Sequence, residues 1–544
     1  MYQAVAERVV YRKDPLSNND GFFVRETQYH DDGRVLFVPK WLPNLPVEAY
    51  ITQKTKRKHR QKKEFEHLDN LVKVSSTPAR LDSAIAKPLA IRNANYISAS
   101  PYVYGYSICP TAKLKYKYHL KYPKARTTHK RVAAFDIETS MADGSIIISG
   151  FSFKNVAVIG IVRSFVSKLA FTDEDRERMT RDALEAQLGD VLRKRNIKVE
   201  LVWCDTPAQT FLACIKRMHE LQPDFISVWN IAFDLPVCIK ALKDEGYDLG
   251  DVFSDPVVPR EYRSCGYVAG DSTKIKNGKP MSLHPADVWN YMDAPSGFMW
   301  IDSMFIYRNL RLAAGMETSY KLDYILTKVL GHGKLKCDVP GDGGEQWHIT
   351  MQNDHPFEYI AYNLYDCIGL EELDEVTQDL SVSLPIFCGF MPIETYHRST
   401  ARTENKLYFH ALAKDQVIGC VGFKSVDEFE ERLPARTDWI AILQSALIGI
   451  PGVPIFNDLD TPNSRVFLHN SDFDITGTYP NIQTLLNISK STMEMETMQL
   501  LDTNYYDRRY YGSALLGGTT NAYQVSRRLF EAPSFEDLLS GFVN

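Results

Sequence analysis

Residues 131–140, RVAAFDIETS, place two carboxylates in an otherwise apolar run. Small, branched and aromatic residues in such a run predict a buried strand. Side chains on a strand alternate between faces, so Asp136 and Glu138, at i and i+2, project from one face and can share a cation. The spacing alone is weak, because Asp175 and Glu177 in DEDRER (173–178) repeat it within what reads as a solvated helix. The setting separates the two pairs: carboxylates on a buried strand are costly unless something neutralises them.

Working outward, SIIISGFSF (145–153) and NVAVIGIV (155–162) follow as further buried strands, and DEDRERMTRDALEAQLGDVLRKRN (173–196) follows as a helix. Three strands and then a helix open an α/β domain. Upstream, residues 1–130 read as short strands punctuated by turns such as NNDG (18–21) and DDG (31–33), a β-rich N-terminal domain.

Two further segments carry acidic residues. SVWNIAFDLPVCI (227–239) brings Asn230, then Phe233 and Asp234 ahead of Pro236. DHPFEYIAYNLYDCIGLEELDEVTQDL (354–380) has Ile360, Leu364, Ile368 and Leu373 at helical spacing, with Asp354 and Pro356 placed as a helix start. On that predicted helix Tyr362 and Asp366 share a face at i and i+4. Four carboxylates within about 4 Å of one another would repel by about 4 kcal/mol per pair at a surface-like dielectric. Two divalent cations about 3.5 to 4 Å apart would account for such a cluster in phosphodiester chemistry, with Tyr362 orienting a water.

At 544 residues the chain is long enough for three or four domains, and its 44% hydrophobic and 24% charged content is that of a globular protein. A net charge of −5 excludes a uniform field drawing it to a polyanion, so local patches matter. The run KTKRKHRQKK (54–63) reads equally as a phosphate track or a solvated loop, and KLKYKYHLKYPKARTTHKR (113–131) interleaves cations with tyrosines ahead of the first carboxylate strand. Nine cysteines without a CxxC pair predict a reducing compartment with neither zinc knuckle nor disulfide framework. The N-terminus lacks a signal-peptide core and no apolar run reaches bilayer length, so a soluble, intracellular protein is expected.

The three acidic segments, in chain order, resemble the Exo I, Exo II and Exo III motifs of the proofreading domain of family B DNA polymerases. KLDYILTKVLGHGKLK (321–336) and YKYHLKYP (116–123) are similar to the matching stretches of T-even-like phage polymerases. The resemblance implies an α/β multidomain chain: a β-rich N-terminal domain at 1–130, an RNase H-like 3′ to 5′ exonuclease domain at 131–385, a helical return segment at 386–435 packing on the N-terminal domain, and a partial polymerase palm at 436–544. It implies Asp136, Glu138, Asp234 and Asp366 as metal ligands and Tyr362 as the water-orienting residue. Lys334 and Lys336 are the positions at which DNA phosphates would be met. The family places three residues between the Exo II asparagine and its Phe-Asp pair; here only Ile231 and Ala232 intervene.

Nearer the C-terminal end, DFDITGTYPNI (472–482) resembles polymerase motif A. Asp472, Asp474 and Thr476 would share a strand face, and spacing to Tyr479 selects Asp474 as the residue that matches the motif. By the resemblance Asp474 holds the polymerase metals, the segment Ile475, Gly477 and Thr478 meets the triphosphate, and Tyr479 excludes a 2′ hydroxyl. Patterns for motifs B and C do not occur after residue 489. A single carboxylate cannot hold a two-metal phosphoryl-transfer site. The expectation is therefore the larger piece of a split polymerase, completed by a second polypeptide, with a free-standing exonuclease or a non-catalytic DNA-binding scaffold as alternatives. Expected cofactors are two Mg²⁺ or Mn²⁺ per active site. Expected partners are primer-template DNA, single-stranded DNA 3′ ends, deoxynucleoside triphosphates and a sliding clamp, in a host cytoplasm, with no membrane.

Overall fold

The computed structural model describes residues 2–420, apart from 60–62, 64, 126–128, 167–171, 277, 278, 338 and 340–343. The chain opens with an antiparallel meander of β1 (Tyr2–Lys13), β2 (Asp20–His30) and β3 (Val35–Pro43), whose turns are the expected NNDG and DDG segments. A second sheet contains β4 (Val47–Thr52), β6 (Leu71–Ser76) and β7 (Val103–Tyr104) in the order β6-β4-β7, with β5 (Phe65–His67) lying outside it. Helices α1 (Pro78–Leu89) and α2 (Pro110–Lys121) contribute Ile85 and Leu114 to a core shared with Phe22, Val24 and Ile51.

Helix α2 carries the first half of the tyrosine-rich basic stretch; Lys121 at its end is exposed, but several cations of the stretch are engaged by protein groups rather than forming a free phosphate track. Lys113 is buried and donates to the Glu48 carbonyl at 2.7 Å, and Lys117 donates to the Pro46 carbonyl at 3.1 Å. Lys130 pairs with Glu7 and Arg131 with Asp224. Packing of α2 against β1 and β4 removes the Lys113 stem from water, so its ammonium takes a protein acceptor. In the first basic run Arg57 likewise donates to the Thr52 and Pro88 carbonyls, while Lys54 is exposed.

The second half of the described chain is built on one eight-stranded sheet. β8 (Val132–Thr139), β9 (Ile146–Phe153) and β10 (Val156–Val162) are antiparallel neighbours. Helix α3 (Asp173–Arg195) leads to β11 (Lys198–Cys204), parallel to β10, and α4 (Pro207–Leu221) leads back to β12 (Phe225–Val228), parallel to β8. After α5 (Ile231–Asp244) and α6 (Leu249–Phe253) come β13 (Gly266–Val268), a small hairpin of β14 (Thr273–Lys276) and β15 (Lys279–Ser282), then β16 (Tyr291–Asp293) and β17 (Met299–Asp302). The sheet order is β11-β10-β9-β8-β12-β17-β16-β13.

All eight residues of β9 are buried, as befits an apolar strand covered on both faces. One face, with Phe135, Ile137 and Phe151, packs on Phe211 of α4 and Leu235 of α5. The other, with Ile148 and Ile159, packs on Leu184 of α3 and on Ile360 and Leu364 of the long helix described next.

Helices α7 (Ser303–Leu310), α8 (Leu322–Leu330), α9 (Glu345–Asp354) and α10 (Pro356–Thr377) follow, then α11 (Leu384–Cys388) and α12 (Ser399–Leu412). Pro356 opens α10 as expected, but Asp354 is not its cap. It is the last residue of α9, and His355 separates the two helices. The chain then returns: β18 (Gln416–Ile418) pairs antiparallel with β5. Asp175 is the structural residue its context suggested, because it closes a capping box with Thr172 at the start of α3, and Glu177 pairs with Arg181.

Buried ion pairs join the opening strands to the start of β12 and to the segment after α11. Arg25 pairs with Asp224 and also donates to the Gln222 and Pro223 carbonyls at 2.9 and 2.8 Å, while Arg8 pairs with Glu394. None of the nine cysteines forms a disulfide. Among the described residues no helix is long and apolar enough to cross a membrane.

Candidate metal centre

The pleat of β8 sends Phe135 and Ile137 into the core under α4 and α5, and therefore sends Asp136 and Glu138 to the opposite face. There they meet α10. Carboxylate oxygens of Asp136, Glu138 and Asp366 lie within 4.8 Å of one another. Asp234, in the first turn of α5, is buried outside this tight trio, but close enough to feel it. Burial, then the charges of Asp136 and Glu138, push its carboxyl well above the usual carboxylate range.

The trio responds to the same two causes. Burial, followed by the Asp366 charge, raises Asp136 to about 7, and burial followed by the Asp136 charge raises Glu138 well above its ordinary value. Burial likewise raises Asp366. Crowded acids with depressed acidity are a stored electrostatic cost, relieved by protons or by cations.

Here one cation is internal. Helix α8 ends at Gly331, whose φ of +80° suits a residue without a Cβ, and the chain turns back so that Lys334 N–H donates to Asp323 Oδ1 at 2.8 Å. This delivers Lys334 Nζ to 2.5 Å from Asp366 Oδ2 and 2.9 Å from the Tyr362 hydroxyl oxygen. Burial draws the ammonium's pKa down, but the charge of Asp366 and its other acidic neighbours hold it well above the ordinary lysine value. The sequence placed Lys334 and Lys336 as DNA contacts; Lys336 is exposed, whereas Lys334 is committed to the carboxylates.

Tyr362 stands one turn ahead of Asp366 and is held by aromatic neighbours. Its ring stacks on Tyr359 at 5.9 Å with 4° between planes, and Trp347 lies 5.1 Å away. Two further side chains of α10 reach β8. The Tyr359 hydroxyl donates to Glu138 Oε2, and Asn363 Nδ2 donates to Asp136 Oδ2 at 2.9 Å. Asn363 fits only because Gly150, opposite Asp136 in the ladder, has no side chain: a Cβ there would stand 2.2 Å from Asn363 Oδ1.

Neither Tyr359 nor Asn363 was singled out from the sequence, although a signal existed. Tyr359, Tyr362, Asn363 and Asp366 fall at i, i+3, i+4 and i+7, a polar stripe on a helix whose other buried positions are mostly apolar. Asn230 and Phe233, the remaining Exo II-like residues, are exposed, and Asn230 makes no side-chain cap at the start of α5. Asp474, Ile475, Gly477, Thr478 and Tyr479 lie outside the described residues.

The donor set suits hard divalent cations, since all the candidate ligands are carboxylate oxygens. Asp366 Oδ1 is buried without a hydrogen-bond partner, a lone-pair site that protein donors leave unfilled.

No protein-family model matches the chain. Over 397 residues it is 22% identical to a DNA-directed DNA polymerase of Escherichia phage RB69; the match covers 70% of this chain and 37% of that polymerase. The chain thus spans little more than a third of that relative's length.

Proposed function

We propose that the described residues form a two-metal 3′ to 5′ DNA exonuclease of the DEDDy type, and that the chain is the N-terminal part of a family B DNA polymerase of the T-even-like phage type. The observation that carries the reading is the meeting of Asp136, Glu138 and Asp366 within 4.8 Å, with Asp234 buried beside them and Tyr362 one turn ahead of Asp366. The order β10-β9-β8-β12-β17, three antiparallel strands followed by two parallel ones, supports an RNase H-like sheet. The likeness to a phage DNA polymerase supports DNA as the substrate.

Asp136, Glu138, Asp234 and Asp366 would hold two Mg²⁺ or Mn²⁺ ions. When bound, such ions supply Lewis acidity and neutralise charge on the phosphodiester. Asn363 holds Asp136 in one orientation, and Tyr359 does the same for Glu138. Because the Tyr362 oxygen accepts from Lys334, its hydroxyl proton remains to be donated to a water or to a phosphate oxygen, which orients the attack.

In the wider reading residues 1–130, 131–385, 386–435 and 436–544 are the N-terminal domain, the exonuclease domain, a return segment and the start of a palm. Asp474 is a polymerase metal ligand, Ile475, Gly477 and Thr478 border the deoxynucleoside triphosphate, and Tyr479 excludes ribonucleotides. Motifs B and C would come from a second polypeptide or from a longer form of this chain. Primer-template DNA and a sliding clamp are the proposed partners, in a host cytoplasm.

The test is degradation of a 5′-labelled single strand in Mg²⁺. Shortening from the 3′ end, lost in Asp136→Ala, is the expected result. Equal rates for the two proteins, or loss from the 5′ end, would overturn the assignment. Primer extension by the 544-residue chain alone would overturn the view that its polymerase site needs completing.

A further inference from the structure

We infer that Tyr359 and His348 act as a positioning pair that fixes the orientation of Glu138 and so sets the affinity of the carboxylate cluster for divalent metal. The inference rests on the reading of the cluster as a metal centre. It begins at the end of β8, where the ladder with β9 slips register between Glu138 and Thr139. The ladder is therefore irregular immediately after the residue whose carboxylate must be held, although Thr139 still pairs with Ile146. A glutamate side chain also loses rotamer freedom when fixed, so an external restraint determines how much of that is already lost before metal arrives.

Tyr359 supplies the restraint by donating its hydroxyl proton to Glu138 Oε2, which leaves Oε1 for a cation. Its own oxygen lies 2.8 Å from His348 Nδ1. With the tyrosine proton directed to the carboxylate, the imidazole must donate, which selects the Nδ1–H tautomer. Burial, and then the Lys334 charge, lower the His348 pKa and favour that neutral ring. Tyr359 is buried, and its ring is held edge-on by His348 and flat against Tyr362, which fixes the place of its hydroxyl beside Glu138, where the Gln352 side chain also hydrogen-bonds it.

His348 is itself anchored. It sits on α9, where Gln352, one turn further on, donates to the Thr139 carbonyl at 2.9 Å and accepts from Met141 N–H at 3.0 Å. Helix α9 thus grips the backbone just past Glu138 with one side chain and its carboxylate, through Tyr359, with another. Partners of this kind fix a ligand's orientation in metal sites, and their loss typically weakens metal affinity or activity by about 10- to 100-fold.

The experiment uses the full 544-residue chain and two readouts, Mn²⁺ binding followed by electron paramagnetic resonance without DNA, and the Mg²⁺ dependence of single-strand degradation. Tyr359→Phe keeps the stacked ring and removes only the donor. It should weaken Mn²⁺ binding by about 10- to 100-fold and raise the half-saturating Mg²⁺ concentration by a similar factor, with the rate at saturating Mg²⁺ largely retained. His348→Phe should shift both in the same direction by less. His348→Asn, whose amide can donate from near the Nδ1 position, should recover them. Unchanged Mn²⁺ affinity in Tyr359→Phe, or a fall in saturated rate without a change in affinity, would overturn the pair's role. An unsubstituted chain that binds no Mn²⁺ would overturn the metal-centre reading itself, a result distinct from either.

Discussion

Replacing Gly150 by alanine should loosen the carboxylate cluster without altering any member of it. Gly150 lies opposite Asp136, and an added Cβ would stand 2.2 Å from Asn363 Oδ1 and 3.1 Å from Cys367 Sγ. Ordinary contact lies near about 3.5 Å, so Asn363 must retreat by roughly 1 Å. Asn363 is fully buried, and such a shift breaks its 2.9 Å bond to Asp136. Overpacking costs about 1 to 3 kcal/mol and the lost bond to a charged group about 1.5 to 3, for a combined destabilisation of about 2.5 to 6 kcal/mol. Urea unfolding in chelator measures it, and Mn²⁺ titration should show weaker binding. The decisive measurement is a double-mutant cycle. In an Asn363→Ala background the obstructing amide is gone, so the alanine at 150 should cost little, and the coupling should approach the full cost of the single substitution. Strict additivity of the two substitutions would refute the reasoning.

Lys334→Met should lower stability in chelator by about 3 kcal/mol, because it strands Asp366 among like charges, and divalent metal should restore more of the loss than it adds to the unsubstituted chain; an unchanged melting temperature in chelator would contradict this. Glu371, buried between α10 and the β9–β10 turn, is raised from 4.5 to about 7 chiefly by burial. A carboxyl raised on folding contributes stability that is complete below its unfolded value and is lost as pH climbs through the folded one. Glu371→Gln should therefore gain on the unsubstituted chain between pH 5 and 8, by up to about 3 kcal/mol at 1.36 kcal/mol per unit; parallel stability profiles would count against it. Arg25→Leu leaves Asp224 with only part of its charge partners and the Pro223 carbonyl without its donor, while Gln222 keeps Arg131, and should cost about 3 kcal/mol in urea unfolding, whereas a loss near zero would show the pair to be dispensable.

Much of the site's local logic was legible in the residues. Asp136 and Glu138 on one face of a buried strand, and Tyr362 one turn ahead of Asp366 on a long helix, follow from periods of 2 and 3.6 that each segment imposes on itself. The same reasoning set aside Asp175, which the capping box explains. Other contacts were not legible. Asp234 lies beside the tight trio rather than within it, and Lys334 turns into the carboxylates instead of outward. Asp354 closes one helix where its sequence setting predicts the start of the next, because α9 runs directly up to α10.

Backbone periodicity is local, so the sequence by itself determined which side chains share a face and that a strand bearing two acids would need neutralising partners. Which face meets which is a matter of packing between segments far apart in the chain. That β8 lies between β9 and β12, that Gly150 lets Asn363 of α10 down onto Asp136, and that a loop after α8 returns Lys334 to Asp366 were decided only when the sheet and its covering helices closed around one another. Burial and close approach, which give those acids their raised pKa values, exist only in the assembled fold.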